Sequence, residues 1–379
     1  MIERLGARKY ALPALAAILI SCVMALMFYP MLNMSPRDLP FAVLSLDEGA
    51  TTPQGEMNAG ELMVKNLTNT ATPGNADSPI QWQVVENQEE LDAALANNEY
   101  FGALTIPANF TQGQVAAQMG EGEPPSINVV IDNAKSPIMA MQMQQLMGSM
   151  FSQMDISASV ELIHAGDASA SPTSPFAVLM GQQIAVMPLI MMSIIGSVLL
   201  TRIFKTKNAP SAGERLKVVG KQLAYAASLS LLAALLTTWI LNGLVGVAAP
   251  FWTMSVFLWF ASFTIMALFI GAFDIHIAVG ALLLILVIFC GMMTAVLPPE
   301  ALPGFWANWI YPWVPQHFVG QGIRDILFMG AGLMPRGTGG LLITGGIGLV
   351  ITLVSAFIPT RASKETTQLL ETDAEAVPA

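Results

Sequence analysis

The sequence predicts an α-helical polytopic membrane protein with six transmembrane helices and an extracytoplasmic α/β domain inserted between helices 1 and 2. Only 11% of the 379 residues are charged, 54% are hydrophobic, and the mean hydropathy is +0.59. Average soluble domains carry about 25% charged residues. One apolar segment opens the chain, a polar and acidic stretch follows it, and five apolar segments fill the second half. That order indicates a membrane bundle with one large domain outside it.

Each predicted span is an apolar run of about 20 residues, the length at which a helix crosses the hydrocarbon layer with its backbone amides bonded internally. The six runs are residues 10–34, 176–200, 223–245, 251–273, 275–297 and 341–359. Repeated prolines in the apolar residues 298–336 exclude one continuous helix and predict short interfacial or re-entrant helices. The predicted domains are 1–34 (amino terminus and helix 1), 35–175 (the α/β domain), 176–360 (a five-helix bundle with the broken outer segment 298–336) and 361–379 (an acidic cytoplasmic tail).

Lysine and arginine set the orientation, because cytoplasmic loops of membrane proteins carry an excess of them. Eleven of the 16 basic residues fall before helix 1, between helices 2 and 3, or after helix 6. Residues 31–175 hold three basic residues against 17 acidic ones. Both termini are therefore predicted to be cytoplasmic, with residues 35–175 outside. The net charge of −10 arises from that outer domain, and this charge indicates no nucleic-acid partner.

The first span has the position of a secretory signal peptide but lacks a small-residue cleavage site at Tyr29-Pro30-Met31-Leu32. It is predicted to be an uncleaved signal anchor. Both cysteines, Cys22 and Cys290, fall inside predicted spans, so no disulfide is expected in the outer domain.

Strands and helices alternate in the outer domain, which predicts a small α/β sheet. The predicted strands are residues 41–46, 80–85, 101–106 and 127–131, and a helix is predicted over 56–68. Asn87 is predicted to cap a second helix, with Glu90 completing a capping box and with Leu91, Ala94 and Leu95 on the inner face. A long helix after Pro137 is expected to carry the chain back to the membrane through the linker 167–175.

Two patterns in this domain have both a ligand-binding and a structural interpretation. The first is a row at helical spacing: Met139, Met143, Leu146, Met147, Met150 and Met154. Thioethers bind cuprous copper, but the row includes a leucine and lacks a flanking His or Cys, which favours an apolar helix face. The second pattern is acidic: Asp47, Glu48 and Asp132 follow predicted strands. A solvated loop is favoured there, because calcium needs more clustered carboxylates.

Catalytic and nucleotide-binding motifs are missing from the sequence. It contains no phosphate-binding loop, no His-Glu-x-x-His, no Cys-x-x-Cys and no Gly-x-Ser-x-Gly. The chain is therefore predicted not to be an enzyme and to hold no cofactor. A nucleotide-driven machine would need a separate ATPase chain.

Several local motifs carry a family resemblance. Residues 41–49, the run Asn58-Ala59-Gly60-Glu61-Leu62 and residues 100–110 belong to the outer domain. Leu302-Pro303-Gly304-Phe305-Trp306, residues 311–315 and residues 322–324 precede the last span. In this order, over almost the whole chain, these motifs resemble ABC-2 type (type 2 ABC exporter) membrane permeases, in particular the phage-infection-protein (Pip)-like branch.

The resemblance implies a transmembrane permease subunit of an exporter in a bacterial cytoplasmic (inner) membrane. ATP would bind only to a separate ATPase subunit. The resemblance also implies an ATPase-coupling loop within residues 204–221, with Glu214, Arg215 and Lys217 facing an ATPase groove. The same charges are explained equally well by the general excess of lysine and arginine in cytoplasmic loops, which anchors the chain in the membrane.

Polar residues are rare within the predicted bundle. Gln182, Gln183 and Asn242 are the candidate polar residues of a transport pathway. Arg324 and Asp325 of the broken segment are expected to pair with each other, and Asp274 marks a tight helical hairpin. Because so few charges lie in the bundle, a hydrophobic or amphiphilic cargo (a drug, lipid or peptide) is favoured over an ion.

Small residues on two predicted spans permit close helix approach. They are Ser193, Gly196 and Ser197 on helix 2, and Gly339, Gly340, Gly345, Gly346 and Gly348 on helix 6. Six helices are few for a two-sided exporter, so a homodimer or pseudo-dimer in the bilayer is expected.

An alternative function belongs to a different class. The chain could be an ATPase-free membrane surface protein whose outer domain binds a partner such as a phage or a secreted polypeptide. A membrane enzyme acting on lipids is a third reading, for which the sequence shows no nucleophile and base pair.

Overall fold

The computed structural model describes residues 32–52, 55–70, 79–153, 156–166 and 175–358, together with six isolated positions between 18 and 30. The chain forms two compact units. The α/β unit comprises Asn33–Ala168 and Leu297–Pro303, and the membrane unit comprises Met1–Leu32, Ser169–Val296 and Gly304–Ala379. Most of the predicted span 10–34, most of the linker 167–175 and the tail 361–379 lie outside the described residues.

Strands of the α/β unit form a five-stranded sheet and a short hairpin. The described strands are β1 (Leu39–Ser45), β2 (Ala50–Thr52), β3 (Gly55–Met57), β4 (Ile80–Val84), β5 (Gly102–Ile106), β6 (Ile127–Asp132) and β7 (Ala158–Ile163). The sheet order is β4-β1-β5-β6-β7, and β2 pairs with β3. β1 runs parallel to β4 and β5, β5 is antiparallel to β6, and β6 is parallel to β7. The four predicted strands are confirmed, whereas the edge strand β7 was not predicted.

The helices of this unit are α1 (Ala59–Thr70), α2 (Gln88–Ala96), α3 (Phe110–Gln118) and α4 (Pro137–Gln153). The helix predicted over 56–68 begins at Ala59, because the residues before it pair as β3. Asn87 caps α2 as predicted, and its side chain accepts a hydrogen bond from the Glu90 amide at 2.9 Å. The other half of the predicted capping box is wrong. The Glu90 carboxylate accepts from the amide of Glu86 at 3.2 Å, one residue before the cap.

The core of the α/β unit lies between the sheet and its helices. Ala42 and Leu44 of β1 pack with Leu91 and Leu95 of α2. The inner face predicted for α2 is confirmed, since Leu91, Ala94 and Leu95 are all buried. Full burial of each leucine contributes about 1.5–3 kcal/mol, so this contact fixes α2 on the sheet.

The methionine row of α4 packs into the same unit. Met139, Met143 and Met147 are 0%, 3% and 0% exposed. This burial agrees with the interpretation of the row as an apolar helix face. Met154 lies outside the described residues. The chain does not continue from α4 into the linker as expected, because it returns to the sheet as β7.

A single carboxylate at the end of β1 joins two helices of this unit. Asp47 accepts hydrogen bonds from the Gly60 amide in the first turn of α1 and from the Thr111 amide in the first turn of α3, each at 3.0 Å. It also accepts from the Gly49 amide at 3.4 Å and from the Thr111 hydroxyl. Because helix amino termini carry partial positive charge, a carboxylate between two of them stabilises both. Burial alone raises the pKa of Asp47, but the hydrogen bonds from Thr111, Gly60 and Gly49 outweigh burial and hold the pKa below its usual value.

Glycine is required at two positions around this carboxylate. Gly49 has φ +76°, a left-handed conformation that other residues rarely adopt. A Cβ at Gly60 would lie 2.6 Å from the Asp47 Cβ, so α1 could not approach the strand end. The segments Asp47-Glu48-Gly49 and Asn58-Ala59-Gly60 therefore build this one junction.

The membrane unit consists of apolar helices. They are α5 (Pro175–Ile203), α6 (Ala212–Ile240), α7 (Phe251–Ile275), α8 (Ile277–Ile285), α9 (Pro315–Phe328) and α10 (Thr338–Ser355). Within the part of the chain that the structure describes, four helical stretches are long and apolar enough to cross a membrane: Gly181–Asn208, Ala212–Val245, Phe251–Ile275 and Thr338–Ser355. They correspond to the second, third, fourth and sixth predicted spans.

The fifth predicted span, residues 275–297, is not one regular helix. α8 passes into a π-helical turn at Leu286–Cys290 and then into a 3-10 turn at Met292–Ala295. The apolar helix Ile277–Cys290 falls below the length of the other four. In residues 298–336 the predicted short helices are present, as a 3-10 turn at Pro299–Ala301, a π-helical turn at Trp306–Ile310 and α9.

Small residues bring α5 and α10 close to α7. The sequence predicts such close approach, but it does not predict that α7 is the neighbour. The Ser193 and Ser262 hydroxyls lie 2.8 Å apart, so α5 and α7 are hydrogen-bonded at their contact. On the other side, a Cβ at Gly348 would lie 2.5 Å from the Leu268 amide nitrogen of α7. The Thr352 hydroxyl donates to the Ala267 carbonyl at 2.8 Å. α7 is thus the central helix of the described bundle.

We expect Asp47→Asn to destabilise the α/β unit by about 2–4 kcal/mol, because an amide nitrogen would face backbone N–H groups that need acceptors. Hydrogen–deuterium exchange of the full-length chain should show faster exchange in the first turns of α1 and α3. Glu48→Gln is the matched control, since Glu48 is the exposed neighbour. Equal exchange in Asp47→Asn and the wild type would contradict the helix-joining role.

Candidate functional site

The connection between α5 and α6 contains the predicted coupling residues. α5 ends at Ile203, a 3-10 turn follows at Thr206–Asn208, and Ser211 caps α6 by accepting from the Glu214 amide at 3.2 Å. A serine cap three residues before a glutamate is a strong local signal for the start of a helix. The predicted coupling residues therefore lie in the first two turns of α6.

Arg215 points into the membrane unit and does not face an open groove as expected. It is 4% exposed. Its Nε donates to the Ala356 carbonyl at 2.6 Å, and its Nη1 to the Ala209 carbonyl at 3.4 Å. The guanidinium thereby joins the start of α6 to the residue that follows α10. Its planar fork of donors suits this task, because one side chain can satisfy two carbonyls.

Glu214 and Lys217 are exposed on the opposite side of the same turn. The Lys217 Nζ lies 2.8 Å from the Glu214 Oε1, and both side chains are more than half exposed, at 72% and 51%. An exposed pair of this kind contributes little to stability. The two side chains are therefore available to a partner, whereas Arg215 is occupied by hydrogen bonds within the chain.

A buried polar cluster at the end of α7 was missed by the sequence analysis. The Asp274 Oδ1 accepts from the Thr206 hydroxyl at 3.2 Å and from the Gln222 side-chain amide at 3.3 Å. Gln222 also donates to the Phe204 carbonyl at 2.9 Å. The cluster ties the connection between α5 and α6 to α7. The signal in the sequence was a carboxylate at the hairpin between two apolar helices, where Asp274 indicated only the hairpin itself.

Two of the three predicted pathway residues hydrogen-bond to the backbone. The Gln182 side-chain amide donates to the Ala295 carbonyl. The Asn242 side chain donates to the Ala249 carbonyl at 3.0 Å and accepts from the Ala249 amide at 2.9 Å. Gln183 differs, because its Oε1 is buried without a hydrogen-bond partner among the described residues. The structure does not bring the three side chains together around one polar centre.

The expected pairing of Arg324 with Asp325 is wrong. The Arg324 Nη1 donates to the Ala295 carbonyl at 2.8 Å. Asp325 binds Arg336 instead, at 2.5 Å to Nη2 and 3.1 Å to Nε, and it also accepts from the Arg336 amide at 3.0 Å. Neighbouring residues on a helix point about 100° apart, so they pair with different parts of the structure.

Two of the three acidic residues after the strands of the α/β unit, Asp47 and Asp132, are buried and have structural partners. The solvated loop favoured from the sequence is wrong for these two residues, whereas Glu48 is exposed. Asp132 is buried, and its Oδ1 lies 2.9 Å from the His164 Nδ1 and accepts from the Ala134 amide at 2.8 Å. Burial raises the pKa of Asp132 above its usual value, and the bonds from Ala134 and His164 act in the opposite direction. No group of three potential metal ligands from His, Cys, Asp and Glu occurs among the described residues.

Comparison with protein families gives one finding for most of the chain. Residues 14–357 match the family model described as ABC-2 family transporter protein. A search of curated proteins and a search of solved structures each find no match.

We expect Arg215→Leu to lower the free energy of unfolding by about 2–4 kcal/mol, because the Ala356 and Ala209 carbonyls would lose their donor inside the structure. Lys217→Leu is the matched control, two residues away with the same loss of charge, and it should have a much smaller effect. Thermal unfolding of both full-length variants in detergent measures the difference. Equal unfolding temperatures for the two variants would show that the Arg215 contacts are not structural.

Proposed function

Since the chain belongs to the ABC-2 family of transporter proteins and is a multi-pass membrane permease component, we propose that it exports a hydrophobic or amphiphilic compound by using a separate ATPase subunit. ATP binds to that subunit in this proposal, and the chain itself supplies the pathway and the mechanical coupling. The assignment to the Pip-like branch belongs to the same proposal.

One observation carries the coupling proposal: the connection between α5 and α6 is fixed to two other helices while one of its faces stays exposed. Arg215 ties it to the end of α10, and Asp274 ties it to the end of α7. Glu214 and Lys217 form the exposed face. A displacement imposed there by a partner would be passed to α7 and α10 as well as to α5 and α6. A loop held only at its own ends would absorb that displacement.

The proposed arrangement in the membrane keeps the sequence-based topology. Six helices cross a bacterial inner membrane, both termini are cytoplasmic, and residues 35–175 form a domain outside. The four long apolar helices support this arrangement, and the distribution of lysine and arginine supports its orientation. Glu214 and Lys217 then face the cytoplasm, where an ATPase subunit can reach them.

The cargo class follows from the polar groups of the bundle. Gln182 and Asn242 bond to backbone groups, so neither side chain is preorganised for an ion. A hydrophobic or amphiphilic molecule needs few such groups, because burial of apolar surface provides most of its binding energy. We place the pathway at the interface of a homodimer or pseudo-dimer, and the outer domains guide release.

Affinity purification of the tagged full-length chain from native membranes tests the function. We expect an ATPase subunit to co-purify in stoichiometric amount, and the chain alone to hydrolyse no ATP. Hydrolysis by the purified chain alone would contradict the permease assignment. A homodimer without ATPase, under conditions that preserve a known ABC complex, would favour the surface protein that binds a phage or secreted polypeptide.

The double variant Glu214→Lys with Lys217→Glu tests the coupling face. It keeps an ion pair within the turn but reverses the charges that a partner meets. We expect at least tenfold less co-purified ATPase with an unchanged unfolding temperature. The same amount of ATPase as in the wild type would show that these charges only anchor the chain at the membrane surface.

A further inference from the structure

A cavity beside the coupling connection remains unexplained by the proposed transport function. It has a volume of about 270 Å³ and lies between the end of α5, the following 3-10 turn and the hairpin of α7 and α8. One water molecule occupies about 30 Å³, so the space exceeds what a few bridging waters fill. Its size suits a small polar group.

Three cations converge on this cavity. Arg202, Lys205 and Lys207 line it, together with one acidic residue, Asp274. None of the three basic side chains forms an ion pair with a carboxylate among the described residues. Asp274 offsets part of this charge, since Lys207 interacts with it electrostatically, but one carboxylate cannot balance three cations. The lining therefore keeps an excess of positive charge, which attracts an anion.

The cavity also has an apolar wall. Val198, Phe273 and Ile277 line it beside the charged groups. Ile277 is 58% exposed, and Leu282, further along the same helical segment, is 59% exposed. A charged rim above an exposed apolar helix face matches a molecule with a charged head and hydrocarbon tails. Basic pockets between membrane helices bind anionic lipid headgroups for this reason.

We propose that this cavity binds the phosphate headgroup of an anionic phospholipid, with the acyl chains along the apolar side of α8. Arg202, Lys205 and Lys207 contact the phosphate in this site. Asp274 is one of its walls, so a bound lipid would contact the residues that hold the coupling connection to α7. The binding site is separate from the exposed Glu214 and Lys217 face, and it can be tested without any ATPase.

Titration of the full-length chain in neutral detergent micelles tests the site, with bound lipid counted by native mass spectrometry. The probes are phosphatidylglycerol, phosphatidylcholine and inorganic phosphate. We expect the wild type to bind phosphatidylglycerol more tightly than phosphatidylcholine. Each basic residue near a membrane surface contributes about fivefold to the affinity for anionic lipid. Lys205→Gln should therefore weaken phosphatidylglycerol binding about fivefold, and the double variant Lys205→Gln with Lys207→Gln about 30-fold.

Lys221→Gln is the matched control. Lys221 is an exposed lysine of α6 that does not line the cavity, so its loss should leave the phosphatidylglycerol affinity within twofold of the wild type. An equal loss in Lys205→Gln and Lys221→Gln would overturn the site in favour of general surface charge. The lipid preference of the wild type decides the question if the double variant fails to fold, because equal affinity for the two lipids also overturns the proposal.

Inorganic phosphate distinguishes a lipid headgroup from a free phosphate. We expect millimolar phosphate to leave the binding of phosphatidylglycerol within twofold, since it lacks the acyl chains that contact α8. Complete displacement by phosphate at that concentration would overturn the lipid assignment and leave a site for a soluble phosphate group.

Discussion

The membrane unit depends on one constraint: its backbone N–H and C=O groups must find hydrogen-bond partners within the protein. A carbonyl without a donor in the hydrocarbon layer costs several kcal/mol, so every interruption of a helix needs a side chain to replace the missing amide. Five side-chain hydrogen bonds at described helix ends and breaks meet this requirement. Gln316 donates to the Val287 carbonyl, and Gln182 and Arg324 donate to the Ala295 carbonyl. The Asn242 side chain donates to the Ala249 carbonyl, and the Arg215 side chain donates to the Ala356 carbonyl. These five side chains, Gln182, Arg215, Asn242, Gln316 and Arg324, therefore bond to carbonyls where the helices end or break, whereas polar residues such as Ser193 and Thr352 join unbroken helices.

The same constraint explains how a short connection can act as a mechanical element. A side chain that satisfies a distant carbonyl also fixes the distance between two elements. Arg215 does this between α6 and the end of α10, and the cluster at Asp274 does it between the connection and α7. α7 in turn packs against α5 and α10 through small residues that allow close approach. A partner that moves the exposed face of the connection thus acts on the packed centre of the bundle.

Sequence patterns predicted the features that depend on neighbouring residues. The Asn87 cap, the inner face of α2 and four strands of the sheet all arise from local periodicity or from contacts within one turn. The edge strand β7 was not predicted although residues 158–162 alternate apolar and polar side chains, because the chain after α4 was expected to run straight into the linker. The burial of Arg215 was not predicted either, because its partner Ala356 lies 141 residues away in the sequence. A basic residue in a basic loop looks the same in sequence whether it faces the solvent or a carbonyl.

The most direct test of the transport account is flux across a defined membrane. The chain and its co-purified ATPase would be reconstituted into proteoliposomes loaded on one side with a fluorescent amphiphile, and its movement would be followed after addition of ATP. The account predicts movement that requires both hydrolysable ATP and the ATPase subunit. Movement at the same rate with a non-hydrolysable ATP analogue, or without the ATPase, would contradict it.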